Sequence, residues 1–224
     1  ITCASCASGP AFEGGHIKYG MRDAPGAIDR LRLTDDRVEY QTITASPPVG
    51  LCGSGILDAM SQLYLAGVLN TRGRMGNHQR VRTSDGQREF VLVSEQEREG
   101  QPAITLTQSD IRELQLAKGA IRTGIQSLLE SEGHDEQDIE KVVIAGAFGT
   151  YIDIASAIII GMLPPLPLDR FQQVGNAAGM GAKMALLSSS KRLDAQKIAQ
   201  RVEYIELTTI PDFNRIFMKA ISIG

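Results

Sequence analysis

Apolar and polar positions repeat with two different periods in the first half of the chain. Residues 38–43 alternate with a period of two, which predicts a strand. Residues 51–69 repeat apolar side chains at helical spacing, and Gly67 falls near the end, where helices prefer glycine. Residues 1–36 are rich in glycine, alanine and serine, and we expect loops around short elements there. The polar stretch 70–106 is expected to form an exposed, inserted β-hairpin region, with short strands at 90–93 and 103–106.

The second half alternates more regularly between the two periods. Thr107 and Asp110 form a T-x-x-D signature that starts helices, and Gly133 is expected to end the long helix that follows. Beyond it, strands alternate with helices, which predicts an α/β layered domain. The predicted strands are 142–145, 171–174 and 202–207, and the predicted helices are 154–161, 177–187, 193–200 and 211–221.

Composition limits the classes of function. The 224 residues carry a formal net charge of −3 and show no basic stripe, which argues against a nucleic-acid surface. No apolar run reaches the roughly 18 residues of a membrane-spanning helix. Three cysteines without a secretory segment fit a reducing compartment, so we expect a cytoplasmic protein. The chain starts at Ile1 rather than at a methionine, and we expect it to be a fragment of a longer protein.

The run VVIAGAFG at residues 142–149 is the main candidate for a ligand site. Its four apolar residues suit a central strand buried on both faces. Gly146 and Gly149 then allow a sharp turn and close approach of the backbone to a ligand, with Ala147 and Phe148 between them. Ligands in open α/β sheets bind beyond the carboxyl ends of strands. The alternative is a tight strand–helix turn without a ligand.

Two other small-residue segments are candidates for phosphate or metal binding. Gly53, Ser54 and Gly55 open a predicted helix, whose first amides favour anions such as phosphate; the alternative is a simple helix cap by Ser54. Glu13 lies in the glycine-rich segment 7–15 and could hold Mg²⁺ through water, or it could be a solvent-facing or capping residue.

Polar side chains on the long helix form a further candidate. Gln115, Lys118 and Arg122 are three and four residues apart, so they share one face. That face could line a pocket for a base and ribose, or it could be an ordinary solvated face. Cys3 and Cys6 form a single C-x-x-C pair, which is weak evidence for a metal, and no metal ligand is predicted.

Seven segments together resemble a specific family. They are GPAFEGGHIKYGMRDAPGAI, GLCGSGILD, DIRELQLAKGAIRTGI, VVIAGAFGTYID, IGMLPPLP, VGNAAGMGAKMALLS and RVEYIEL, in this order. Over nearly the whole chain they resemble the C-terminal ATPase domain of the reductive activators of corrinoid proteins. These belong to the acetate and sugar kinase, heat-shock protein and actin superfamily.

The resemblance implies an actin-like ATPase fold of two ribonuclease-H-like halves, of which residues 1–224 are mainly the second. It implies ATP and Mg²⁺ as cofactors, with VVIAGAFG as the adenosine motif and Gln115, Lys118 and Arg122 toward base and ribose. It also implies a ferredoxin-type domain with an iron–sulfur cluster upstream and a corrinoid protein as partner, and it is compatible with a homodimer. Neither DIGT-type phosphate loop of the superfamily is present here, so catalysis by this fragment alone is not expected.

Three functions follow from these expectations. The first is an ATP-dependent reductive activator, which couples ATP binding and hydrolysis to reduction of cobalt(II) to cobalt(I) for methyl transfer. The second is a small-molecule kinase of the same fold. The third is a non-catalytic module for binding or dimerisation.

Overall fold

A computed structural model describes residues 1–34 and 37–224. The first part holds four strands and a helix, and in its three-stranded sheet β2 pairs antiparallel with β3 and parallel with β4. A 3₁₀ turn, Ala11–Glu13, lies between β1 and β2. The elements are β1 (Thr2–Ala4), β2 (Ala27–Thr34), β3 (Arg37–Thr42), β4 (Gly50–Leu51) and α1 (Gly53–Leu65).

The expectation of loops over residues 1–36 is wrong at β2. The register with β3 shifts between Ile28 and Arg30, so a bulge interrupts the period of two. Ile28 and Leu31 are both buried although they are three residues apart, and this spacing hides the strand from a search for alternation.

An antiparallel sheet in the order β5-β6-β7 follows, made of β5 (Val81–Ser84), β6 (Gln87–Val93) and β7 (Ile104–Thr107). The predicted strands correspond to β6 and β7, whereas β5 is a polar edge strand that apolar pattern alone did not reveal. That residues 70–106 are an insertion stays a prediction. Helix α2 (Gln108–Glu132) begins with the expected capping box: Asp110 N donates to Thr107 Oγ1 at 3.1 Å, and Thr107 N donates to Asp110 Oδ2 at 2.8 Å.

The remaining elements confirm the predicted alternation of strands and helices. Strand β8 is parallel to β9, and β1 is parallel to β10. The helix predicted at 193–200 starts earlier, because Ser188 Oγ accepts a hydrogen bond from Lys191 N and caps it. These elements are β8 (Val142–Ala145), α3 (Ala147–Tyr151), α4 (Ile154–Ile159), β9 (Phe171–Gly175), α5 (Ala177–Leu187), α6 (Ser189–Ala199), β10 (Glu203–Ile205) and α7 (Phe213–Ala220).

Strand β8 corrects one expectation. We expected residues 142–145 to be buried on both faces, but Val143 is 55% exposed and Ala145 is exposed as well. The physical reason is that Val143 and Ala145 lie on the same face of β8, which the described part of the chain leaves uncovered, whereas Ile144 on the other face packs against the core. The main core lies elsewhere, around α1, β6 and α2. Within the described residues, none of the helices combines the length and the hydropathy that crossing a membrane requires.

Candidate functional site at the carboxyl ends of two parallel strands

Two glycine turns lie side by side where β8 and β9 end. Gly146 has φ +102° and ψ 165°, and Gly175 has φ +65°. Gly146 N donates a hydrogen bond to Gly175 O at 2.8 Å, which joins the two turns. Both backbones lie in regions that favour glycine, so these turns depend on the glycines. Because α3 and α5 begin here, the turns lie at the carboxyl edge of the strands, where open α/β sheets bind ligands.

The two glycines of the GAFG turn have different surroundings. A Cβ atom at Gly146 would meet no atom within 4 Å, so the backbone there borders open space. A Cβ atom at Gly149 would lie 2.5 Å from Ile144 Cγ2, so this glycine lets α3 pack closely against β8. Ala147 is exposed at the start of α3. Only the Gly146 side therefore offers room for a ligand.

Phe148 connects this turn to two other predicted segments. Its ring stacks on Phe12, with ring centroids 5.2 Å apart and an interplanar angle of 30°. A Cβ atom at Gly53 would lie 2.8 Å from Phe148 Cε2. Glu13 follows Phe12 in the same 3₁₀ turn and is exposed. The structure thus brings together the GAFG turn, the start of α1 and the turn that carries Glu13.

The start of α1 is packed against backbone. Gly53, Ser54 and Gly55 are all buried, and Gly53 and Gly55 face the carbonyls of Phe12 and Ile28 so closely that neither position has room for a side chain. Ser54 lies inside the helix, because the N-cap residue is Cys52, so the alternative of a cap by Ser54 is wrong. A role of these amides in phosphate binding stays a prediction.

The predicted base and ribose face of α2 contacts the C-terminal segment. Gln115 Nε2 donates to Ile221 O at 2.9 Å, and Lys118 Nζ donates to Ser222 O. Arg122 forms an ion pair with Glu136, and its Nη1 atom is buried without a hydrogen-bond partner. The role of these three residues toward a nucleotide stays a prediction. Their hydrogen bonds and ion pair are to the C-terminal segment and to Glu136, whereas Phe148 contacts Phe12 and the start of α1.

Burial changes the chemistry of Lys118. Its side chain is 1% exposed, and desolvation together with the nearby charge of Arg122 lowers the pKa of Lys118 from 10.5 to about 8. A Cβ atom at Gly161, after α4, would lie 3.3 Å from Lys118 Nζ, so this glycine is a close neighbour of the ammonium group. Lys118 therefore links α2, the end of α4 and the C-terminal segment.

Sequence patterns missed a polar cavity beside the start of α1. It has a volume of about 490 Å³, and its lining includes Asp29, Arg30, Cys52, Ser54 and Tyr151. The Asp29 Oδ1 atom is buried without a hydrogen-bond partner, so an acceptor remains for a polar ligand or water. The Arg30 Nη1 atom also lacks a hydrogen bond, but it lies 3.9 Å from Asp58 Oδ2 in an ion pair. The residues come from separate segments, and no spacing in the sequence connects them.

The three cysteines are free thiols. Burial raises the pKa of the Cys6 thiol and that of the Cys52 thiol, which keeps both protonated at neutral pH. Across residues 1–34 and 37–224, no group of three or more His, Cys, Asp or Glu side chains is placed to hold a metal ion.

Comparison with characterised proteins shows consistent similarities. The chain is 38% identical over 232 residues to the corrinoid activation enzyme RamQ of Eubacterium limosum, covering 99% of this chain and 39% of RamQ. It is 26% identical over 246 residues to the [Co(II) methylated amine-specific corrinoid protein] reductase of Methanosarcina barkeri, covering 99% of this chain and 42% of the reductase. The chain therefore spans about two fifths of the length of these relatives.

A solved structure shows the same likeness in three dimensions. The reductive activator for corrinoid, iron–sulfur protein superposes with a TM-score of 0.90 at 38% identity, over 98% of this chain and 36% of that one. The profile of the C-terminal domain of RACo, the ASKHA domain, matches residues 1–224. These matches confirm the resemblance and the actin-like fold class, and the chain belongs to the family of RACo C-terminal ASKHA domains.

Proposed function

We propose that the polypeptide containing this chain is an ATP-dependent reductive activator of a corrinoid protein. In this proposal it couples ATP binding and hydrolysis to the reduction of cobalt(II) to cobalt(I), and this chain forms one side of the nucleotide cleft. The names of the relatives support the corrinoid partner. A cytoplasmic location, an upstream iron–sulfur domain and a homodimer belong to the same proposal.

The joined glycine turns at Gly146 and Gly175 carry the nucleotide part of the proposal. They lie at the carboxyl ends of parallel strands, and Gly146 borders open space. A nucleotide can approach backbone that has no side chain in front of it. The buried Asp29 Oδ1 atom, which has no hydrogen-bond partner, supports a polar ligand in the nearby cavity.

The residues present fit a nucleotide, and each has a distinct task in the proposal. The Gly146 turn lets the ligand approach the ends of β8 and β9, while Gly149 and the stacked rings of Phe12 and Phe148 hold that turn against α1. Glu13, which is exposed beside them, would orient a water shell around Mg²⁺. ATP would bind two conformational states of the protein with different affinities, and this difference would shift the equilibrium between them.

The test is ATP binding by the full-length polypeptide with Gly146→Val. Valine would occupy the open space and strain the backbone, so we expect ATP affinity to fall by about tenfold or more, which corresponds to about 1.4 kcal/mol. Gly100→Val is the matched control, because Gly100 also has a positive φ and no atom within 4 Å of its Cβ position. Isothermal titration calorimetry measures both variants.

The outcomes separate the competing functions. ATP turnover stimulated by a corrinoid protein, with loss of ATP binding in Gly146→Val alone, supports the proposal. Unchanged affinity in Gly146→Val contradicts the site. A phosphorylated metabolite as product would favour a small-molecule kinase, and absence of nucleotide binding by the full-length polypeptide would favour a binding or dimerisation module.

A further inference from the structure

A rigid turn after α1 presents two arginines on its outer side. Asn70 Oδ1 accepts hydrogen bonds from Arg72 N at 3.0 Å and from Arg74 N at 2.9 Å. Gly73, with φ +71°, allows the chain to reverse, and Leu69 and Met75 form a bridge across the base of the turn. Arg72 and Arg74 are exposed, whereas Met75 is 1% exposed and anchors the turn in the core. The positions of the two arginines are therefore set by the backbone.

Hydrogen bonds from neighbouring elements hold the same turn in place. Gln108 on α2 accepts from Met75 N and donates to Gly73 O, both at 2.8 Å. Arg88 on β6 donates to Met75 O at 2.8 Å. These hydrogen bonds join the turn, β6 and the first turns of α2 around a common space.

A cavity of about 450 Å³ lies in this space. Its lining includes four arginines, Arg72, Arg74, Arg88 and Arg112, together with Gln87 and Gln115, and no carboxylate is among its described lining residues. Arg72, Arg74 and Arg112 have no ion pair with any carboxylate in the described part of the chain. Four arginines that line one cavity without a carboxylate create a positive local potential there, which attracts anions.

A nearby arginine shows how this chain neutralises a positive charge when it serves structure. Arg82 on β5 pairs with Glu89 and with Glu95, each at 2.8 Å, and Glu89 also accepts from Lys18 at 2.7 Å. Strand β6 and the segment after it therefore provide carboxylates to Arg82, whereas the described lining of the arginine cavity contains none. The lining of this cavity is positive although the formal net charge of the chain is −3.

We propose that the arginine cavity binds a compact polyanion that carries phosphate groups. Guanidinium groups bind phosphate through paired N–H donors, and several of them together neutralise a multiply charged ligand. The volume lies within the range of small-molecule pockets, which favours a phosphorylated small ligand over the surface of an acidic protein. Ser109 Oγ donates a hydrogen bond to Gln87 Oε1 at 2.8 Å. The side-chain amide N–H groups of Gln87 are therefore available to the same ligand.

This inference does not rest on the proposed ATPase function. The cavity is formed by the turn after α1, by β6 and by the start of α2, whereas the glycine turns of the proposed nucleotide cleft are at the ends of β8 and β9. The two sites share Gln115, which lines the cavity, donates to Ile221 O and is one of the residues expected toward base and ribose.

The test measures binding of inorganic tripolyphosphate to the full-length polypeptide by calorimetry at physiological salt. We expect Arg72→Gln/Arg74→Gln to weaken binding by about tenfold or more, because two charge-assisted contacts are lost. Arg192→Gln/Arg201→Gln is the matched control: it removes the same charge from exposed positions on and after α6. Circular dichroism checks that each variant is folded.

Three results would overturn the inference. The first is no binding of tripolyphosphate to the unaltered protein, or equal binding in both double variants. The second is binding that Gly146→Val abolishes and Arg72→Gln/Arg74→Gln leaves unchanged, since the probe would then occupy the nucleotide cleft. Loss of binding to a corrinoid protein by Arg72→Gln/Arg74→Gln, without any binding of tripolyphosphate, would assign these arginines to an acidic protein partner and would also contradict the proposal.

Discussion

Two regions of this chain differ in how far they bury their large apolar side chains. In the region from β2 to the first half of α2, large side chains such as Met60 and Phe90 are fully buried. In the region from β8 to β10, Leu187 is 82% exposed, Leu186 is 74% exposed and Met180 is 59% exposed. Helix α5 contains no buried residue at all within the described chain, so its small residues are not used in a packed interface there.

The difference in burial is explained by the elements that pack around each strand. Strand β6 pairs with β5 on one edge and β7 on the other, and α2 packs against it, so Phe90 is enclosed. Within the described residues β8 pairs with β9 alone, and the face of β8 that carries Val143 and Ala145 is uncovered, although parallel strands are usually covered on both faces. A local pattern therefore predicts the type of an element, whereas burial depends on which elements pack around it.

Replacing Phe90 by alanine is the strongest way to test this comparison. Phe90 is 0% exposed in the main core, so we expect Phe90→Ala to lower the free energy of unfolding by about 3–5 kcal/mol. Val143→Ala on the half-exposed β8 should cost less than about 1 kcal/mol. Urea unfolding followed by circular dichroism measures both variants. Equal costs would show that the two regions are packed alike.

The buried ammonium of Lys118 predicts an unusual pH dependence within the packed region. Its folded-state pKa of about 8 lies below the value of 10.5 for an exposed lysine, so the unfolded chain binds more protons between these values. The protein should therefore gain stability as pH rises, by about 2–3 kcal/mol between pH 7 and 10. The measurement is urea unfolding across this range, with Lys118→Met as the variant that lacks the titration. A difference between the two proteins that does not change with pH would refute the prediction.

The smallest effect is expected on α5. Leu187 is largely exposed, so Leu187→Gln should change the free energy of unfolding by no more than about 0.5 kcal/mol. Thermal unfolding of Leu187→Gln beside the unaltered polypeptide measures it. A loss of about 2 kcal/mol or more, as expected for a buried leucine, would show that other residues of the polypeptide cover α5.

Several elements could be predicted from particular residues. The Thr107 and Asp110 pair marks the start of α2 and Gly133 its end, because caps satisfy local backbone groups wherever the helix packs. Strand β2 escaped prediction because a bulge broke its period, and β5 because its side chains are mostly polar. The polar cavity at Asp29 and Arg30 escaped as well, since its residues are far apart in sequence.

By itself, the sequence determined the order and type of most elements, the long capped helix and the family, because these depend on local periodicity, on capping and on ordered motifs. Only the tertiary structure decided that Phe148 stacks on Phe12, that Gln115 and Lys118 hold the C-terminal segment, and that four arginines converge on one cavity. Such contacts join residues that are distant in the chain. Their formation depends on how the layers pack, which no local pattern encodes.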